Sequence, residues 1–88
     1  RKSVLMFPEG SEFHYNLGNA YYRAGDTDAA ITCYRKSTGL NPGFEAAWFN
    51  LGAAYLNRGD KRNAKECFLK AKELNPYKDI DWLLRMAE

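Results

Sequence analysis

Cysteine and histidine are scarce: the 88 residues contain two cysteines, Cys33 and Cys67, and one histidine, His14. With no Cys-x-x-Cys pair and no second histidine, the chain carries neither a disulfide framework nor the ligand spacing of a zinc site. Long apolar runs are missing as well. None is longer than Val4 to Phe7, far below the roughly 20 residues a helix needs to cross a bilayer, and no signal-peptide pattern opens the chain. Neither sign of charge dominates, with 13 Lys and Arg against 11 Asp and Glu for a net +2. The basic excess sits at Arg58, Lys61, Arg62, Lys65, Lys70, Lys72 and Lys78. It is interrupted by Glu45, Asp60, Glu66 and Glu73, so no continuous stripe forms that could track a phosphate backbone. A phosphate loop, a nucleophile elbow and a paired-carboxylate motif are also lacking. These absences leave membrane, nucleic-acid, metal, cofactor and catalytic functions without positive support. Free thiols and the lack of a targeting segment fit a reducing, cytoplasmic compartment.

What is present is the composition of an ordinary folded domain: 45% hydrophobic, 27% charged and 15% aromatic. At this length the chain makes one small domain with a limited core. It begins with Arg1 rather than Met, as a domain cut from a longer polypeptide would. Most informative is an internal repeat. Sliding the sequence by 34 residues aligns 11–44 with 45–78 without a gap and yields 13 identical pairs, among them Asn16/Asn50, Leu17/Leu51, Gly18/Gly52, Tyr21/Tyr55, Gly25/Gly59, Asp26/Asp60, Ala30/Ala64, Cys33/Cys67 and Pro42/Pro76. The same shift lays Pro8 on Pro42 and Trp82 on Trp48. The expected organisation is therefore a stub at 1–10, repeat 1 at 11–44, repeat 2 at 45–78, and a partial third repeat or capping helix at 79–88.

Each repeat reads as a helix, a turn and a second helix. Trp48, Leu51, Gly52 and Tyr55 recur at i, i+3, i+4 and i+7, one face of an α-helix. Gly59 can adopt the left-handed conformation that ends a helix, and Asp60 offers a side-chain oxygen to the free N–H groups that open the next. Ala64, Phe68 and Ala71 form one face of that second helix, which stops at Asn75-Pro76. Repeat 1 follows suit with Leu17, Gly18 and Tyr21, then Gly25-Asp26, then Ala30, Tyr34 and Ser37, then Asn41-Pro42. Small residues at Gly18, Gly52, Ala30 and Ala64 let helix axes approach, and aromatic rings fill the gaps. One departure stands out: Gly39, with its low helix propensity, is expected to end the second helix of repeat 1 early.

Trp48-x-x-Leu51-Gly52-x-x-Tyr55, Ala64-x-x-x-Phe68 and Pro76 resemble the tetratricopeptide-repeat signature in type and spacing. Repeat 1 resembles it too, with His14 in place of the tryptophan and Ser37 in place of the alanine. In the last segment Arg85 and Met86 depart from the pattern. The resemblance implies an all-α, right-handed superhelical solenoid and a non-catalytic role as a protein-interaction module. It also implies that the first helix of each repeat lines a concave groove. The groove residues expected on that basis are Tyr15, Asn16, Asn19, Tyr22, Phe49, Asn50, Leu56 and Asn57, flanked by Glu12, Arg23, Ala46 and Ala53. Ile80, Leu83, Leu84 and Ala87 would join from the last helix.

Asparagine amides can donate to and accept from a peptide backbone at once, and aromatic rings supply binding anchors. The expected partner is thus an extended or helical protein segment. The competing reading of Asn16 and Asn50 is helix-to-helix hydrogen bonding. One subclass of the family grips a C-terminal carboxylate through lysine, arginine and asparagine. Asn19 and Asn50 match that arrangement, but Tyr15, Ile80 and Leu84 occupy the basic positions, which argues against that specificity. A His14–Cys33 dyad is conceivable, yet His14 falls at a packing position and reads as a partly buried spacer. Cys33 and Cys67 read as small packing residues, placed too far apart for a bridge, which needs Cα atoms within about 7 Å. The alternative function is self-association into a homo-oligomer through apolar ends, Val4–Phe7 at one and Ile80, Trp82, Leu83, Leu84 and Met86 at the other.

Overall fold

The computed structural model describes residues 10–77 and 81–86. The stub residues Val4–Phe7, and Ile80 and Ala87 near the other end, lie outside the described residues, as does the Leu83 side chain. Among the described residues five helices follow one another: α1 (Ser11–Arg23), α2 (Thr27–Leu40), α3 (Glu45–Asn57), α4 (Lys61–Leu74) and α5 (Asp81–Met86). The chain is an all-helical solenoid. α1 packs on α2 and α3 on α4, α2 joins the pairs by packing on α3, and α5 lies against α4.

Each pair is turned by the same dipeptide. Gly25 and Gly59 have φ of 89° and 87°, the left-handed region that costs a glycine little. At the first turn, Gly25 N–H donates to the Tyr22 carbonyl at 3.1 Å and Asp26 N–H to the Tyr21 carbonyl at 2.9 Å. This is the Schellman closure, which satisfies carbonyls left over at a helix end. The second turn repeats it, with Gly59 N–H to the Leu56 carbonyl and Asp60 N–H to the Tyr55 carbonyl. The aspartates then cap the next helix: Asp26 Oδ1 accepts from Ala29 N–H at 3.2 Å and Asp60 Oδ1 from Asn63 N–H at 3.3 Å. Two consecutive residues thus end one helix and start another.

The core is built on rings seated on glycines. Tyr34 of α2 lies over Gly18 of α1 so closely that an added Cβ would stand 2.7 Å from its ring; Phe68 of α4 lies over Gly52 of α3 at the same 2.7 Å. Ala30, Ile31, Tyr34, Leu51, Ala54 and Cys67 form one buried cluster, and Ala64, Phe68 and Ala71 another. Between the pairs, the Tyr15 and Phe44 ring centroids are 4.9 Å apart, Asn57 Nδ2 donates to Thr27 Oγ1 at 3.0 Å, and Arg58 pairs with Asp28 at 3.2 Å. The expectation that Gly39 shortens α2 is not met, since α2 runs on to Leu40 as α4 runs to Leu74. Thr38, beside that glycine, is buried, and such packing outweighs a propensity deficit of about 1 kcal/mol. No described helix is long and apolar enough to cross a membrane.

Candidate functional site

The residues expected in the groove divide into three groups. Asn19, Tyr22 and Asn50 meet in a cavity of about 230 Å³ that Arg23, Tyr34 and Ala53 complete. Tyr22, Leu56 and Asn57 line an adjoining cavity of about 340 Å³ with Ala53 and Met86. The two share Tyr22 and Ala53, and so form one cleft along α1, α3 and α5. Tyr15 stands next to it, tied to Asn50 and packed on Phe44 with the rings tilted by 40°. Phe49 turns partly into the protein, its ring centroid 5.8 Å from that of Phe68. Asn16 is exposed and lines neither cavity. Leu84 packs on the core of the second helix pair.

A hydrogen-bond network forms the floor of the cleft. The Tyr34 hydroxyl donates to Asn19 Oδ1. Asn50 Nδ2 donates to the same oxygen at 2.9 Å and to the Tyr15 hydroxyl oxygen at 3.2 Å. Asn50 of α3 therefore does bridge to α1, as the competing reading held, while Asn16 makes no such bond among the described residues. Burial raises the Tyr34 phenol to about 12, so this hydroxyl remains a neutral donor throughout the physiological range. Tyr34 was absent from the expected groove residues. The signal that could have found it is in the repeat: Tyr34 and Asn19 correspond to Phe68 and Ala53, so the hydroxyl and its amide acceptor are present together or absent together. Met86 was also missed, because α5 departs from the repeat pattern there.

On the opposite face of α3, Trp48, Leu51 and Tyr55 line a groove of about 530 Å³ with residues of α2 and α4. Trp48 Nε1 donates to the Pro42 carbonyl at 2.8 Å, and Lys70 Nζ lies 6.0 Å from the indole centroid. Its counterpart in repeat 1 gathers His14, Leu17, Tyr21 and Cys33. His14 and Cys33 thus share a cavity, but burial raises the Cys33 thiol, the reverse of what an activated nucleophile requires. Cys67 is raised further by burial, to about 12. Both cysteines are free and buried, and no cluster of potential metal ligands exists among the described residues.

Two family models match the sequence, one described as TPR repeat over residues 18–59 and one as Tetratricopeptide repeat over residues 45–78. Among curated proteins no sequence matches. Among solved structures, the chain is similar to the first TPR of Spaghetti (RPAP3) bound to the HSP90 peptide SRMEEVD, with a TM-score of 0.56 at 19% identity over 97% of this chain and 95% of that one. The rings seated on Gly18 and Gly52, the two Gly-Asp turns and the matched models lead to one assignment: the chain belongs to the tetratricopeptide-repeat family, a fold of protein-interaction modules.

Proposed function

We propose that this chain is a non-catalytic adaptor that holds an extended segment of a partner protein in the cleft along α1, α3 and α5. The observation that carries this reading is the convergence of Asn19, Asn50, Tyr22, Leu56 and Asn57 on two adjoining cavities that share Tyr22 and Ala53. Amides in such a place can serve a peptide backbone, whatever its side chains, while Tyr22, Leu56 and Met86 offer apolar contact to alternate side chains. The peptide held by the similar RPAP3 domain supports a segment rather than a folded surface as the ligand. The terminal-carboxylate grip of one subclass of the family is not carried over, because Tyr15 bonds Asn50 and Leu84 packs inward at positions where that subclass has cations.

The deciding experiment is capture from source-cell extract by the native chain and by a Tyr22→Ala/Asn50→Ala/Leu56→Ala variant that keeps its helical circular dichroism. One partner held by the native chain and lost by the variant supports the cleft. Identical capture by both overturns it. A second reading, self-association, is favoured by Trp82 and Met86, which are 57% and 52% exposed on α5. In that case the native chain captures copies of itself, its mass rises with concentration, and Trp82→Glu/Met86→Glu restores the monomer.

A further inference from the structure

We infer that the outer groove between α2 and α4 is a second binding site, which takes a protein segment pairing an aliphatic side chain with a carboxylate. It lies across α3 from the cleft and does not depend on the cleft reading. The aliphatic group lies over Gly39 on the Trp48 indole, and the carboxylate meets Arg35 and the Tyr55 hydroxyl. All four residues line this groove of about 530 Å³, a size within the range of ligand sites.

Gly39 is the first sign. It falls inside α2, where glycine lowers helix propensity, and neither usual reason for a glycine applies. The glycines with positive φ are Gly10, Gly25 and Gly59. A Cβ at Gly39 would meet nothing within 4 Å, whereas Gly18 and Gly52 each seat a ring. The fold thus gains nothing from a glycine here. The groove does, because its wall is lower by a whole side chain where Gly39 lines it, and a bound group can approach the backbone. The floor opposite is fixed: Trp48 Nε1 donates to the Pro42 carbonyl at 2.8 Å, which holds the indole plane, and Leu51 beside it in the lining is buried.

Charge is the second sign. Arg35 lies one turn before Gly39, on the same face of α2, and pairs with no carboxylate among the described residues. The Tyr55 hydroxyl has no hydrogen-bond partner among them either. Burial raises its phenol, and Arg35 is the strongest charge acting on it, so a neutral O–H and a guanidinium stand near each other. Other charges nearby are engaged. Arg58 pairs with Asp28 at 3.2 Å, Lys70 with Glu73 at 3.4 Å, and Asp60 caps α4. Glu66, the acidic residue of the lining, bears on the Cys67 thiol. Two neighbouring donors without an acceptor fit a carboxylate, which accepts from both and answers the guanidinium's charge. Repeat 2 has Leu69 and Glu73 where Arg35 and Gly39 stand, so the combination is no part of the repeat scaffold.

The probe is a random displayed library of 12-residue peptides, selected on the native chain and counter-selected on Gly39→Leu, which fills the groove from within. Peptides held by the cleft bind both chains and are discarded. The survivors are expected to share an aliphatic residue beside, or next but one to, Asp or Glu. By calorimetry, a survivor should bind Gly39→Leu at least tenfold more weakly, although this variant melts no lower than the native chain. Arg35→Glu, at an exposed site, should weaken binding about tenfold to a hundredfold, the value of a charge-assisted bond. Exchanging the peptide's acid for Lys should restore part of that loss, which a merely misfolded variant would not do. No survivors, survivors without an acid, or equal binding by Arg35→Glu would each overturn the inference. Unfolding of Gly39→Leu would overturn it too, by showing that the fold needs this glycine. If sodium octanoate shifts the Trp48 indole resonance and no peptide does, the occupant is not a protein segment and the inference falls.

Discussion

The two helix pairs share a backbone plan and differ in what they hide. Repeat 1 buries polarity: Ser37 Oγ donates to the Ser11 carbonyl at 2.8 Å and Ser11 Oγ to the Ser37 carbonyl at 3.3 Å, both residues buried, and Tyr34 reaches Asn19. Repeat 2 has Ala71, Phe68 and Ala53 at the positions of Ser37, Tyr34 and Asn19, and its interior is apolar. At the turn the difference reverses. Asp26 caps α2 through one hydrogen bond, whereas Asp60 also accepts from Asn63 Nδ2 at 2.7 Å. The two pairs agree on the ring over the glycine, the Gly-Asp turn and the alanines between helices. The scaffold is therefore set by shape, and hydrogen bonds are added to it wherever a partner is within reach.

The largest effect should fall on what the repeats share. Gly18→Ala and Gly52→Ala each drive a Cβ to 2.7 Å from a packed ring. Each should cost about 3 kcal/mol of stability in urea denaturation, as overpacked cores do. Similar costs at both sites support a common scaffold; tolerance at one alone would break the comparison. The next effect concerns what they do not share. Ala71→Ser, which places a hydroxyl in the fully buried, apolar interior of repeat 2, should destabilise by about 1–2 kcal/mol through its desolvation. Ser37→Ala removes a satisfied hydrogen bond and should cost about 1 kcal/mol. If both swaps are neutral, the interiors are interchangeable and the contrast carries no energy.

The smallest effect depends on pH and belongs to repeat 2. The Asn63 side-chain amide, then its backbone N–H, hold the Asp60 carboxyl below the ordinary value of 3.8. A carboxylate depressed in the folded state stabilises fully above its unfolded value, and that contribution is lost as pH falls through the lower native value. The stability gap between the native chain and Asp60→Asn, which retains a capping oxygen, should narrow on acidification below about pH 4. A gap constant with pH would mean that Asn63 does not favour the ionised form.

Much of this architecture could be read from residue order alone, and the reason lies in the kind of information carried. Gly25-Asp26 and Gly59-Asp60 hold their structural instructions locally, one residue for the left-handed cap and the next for the helix start. The 34-residue register then extends any local reading to its copy. The Gly39 expectation failed because propensity is local and weak, and the packing around Thr38 is neither. The cleft was legible only in part. Helical spacing puts Asn19, Tyr22, Asn50, Leu56 and Asn57 on one side, and Phe49 falls within the same arc of α3, yet its ring packs beside Phe68. Tyr34 belongs by periodicity to the core, which is where its ring lies. Only its hydroxyl reaches the cleft floor, and a helical wheel assigns residues rather than atoms.

The two buried thiols give the molecule a built-in clock. Cys33 and Cys67 occupy equivalent positions one repeat apart, both free and both buried. Burial raises both thiols above their ordinary range, so neither reacts readily while its helix pair is closed. In a solenoid, neighbouring units hold one another shut and terminal units open more often. A chain keeping only Cys33 and another keeping only Cys67, exposed to an alkylating reagent, would each be modified in proportion to how often its own repeat stands open. The repeat-to-repeat coupling then follows from two labelling rates measured under native conditions.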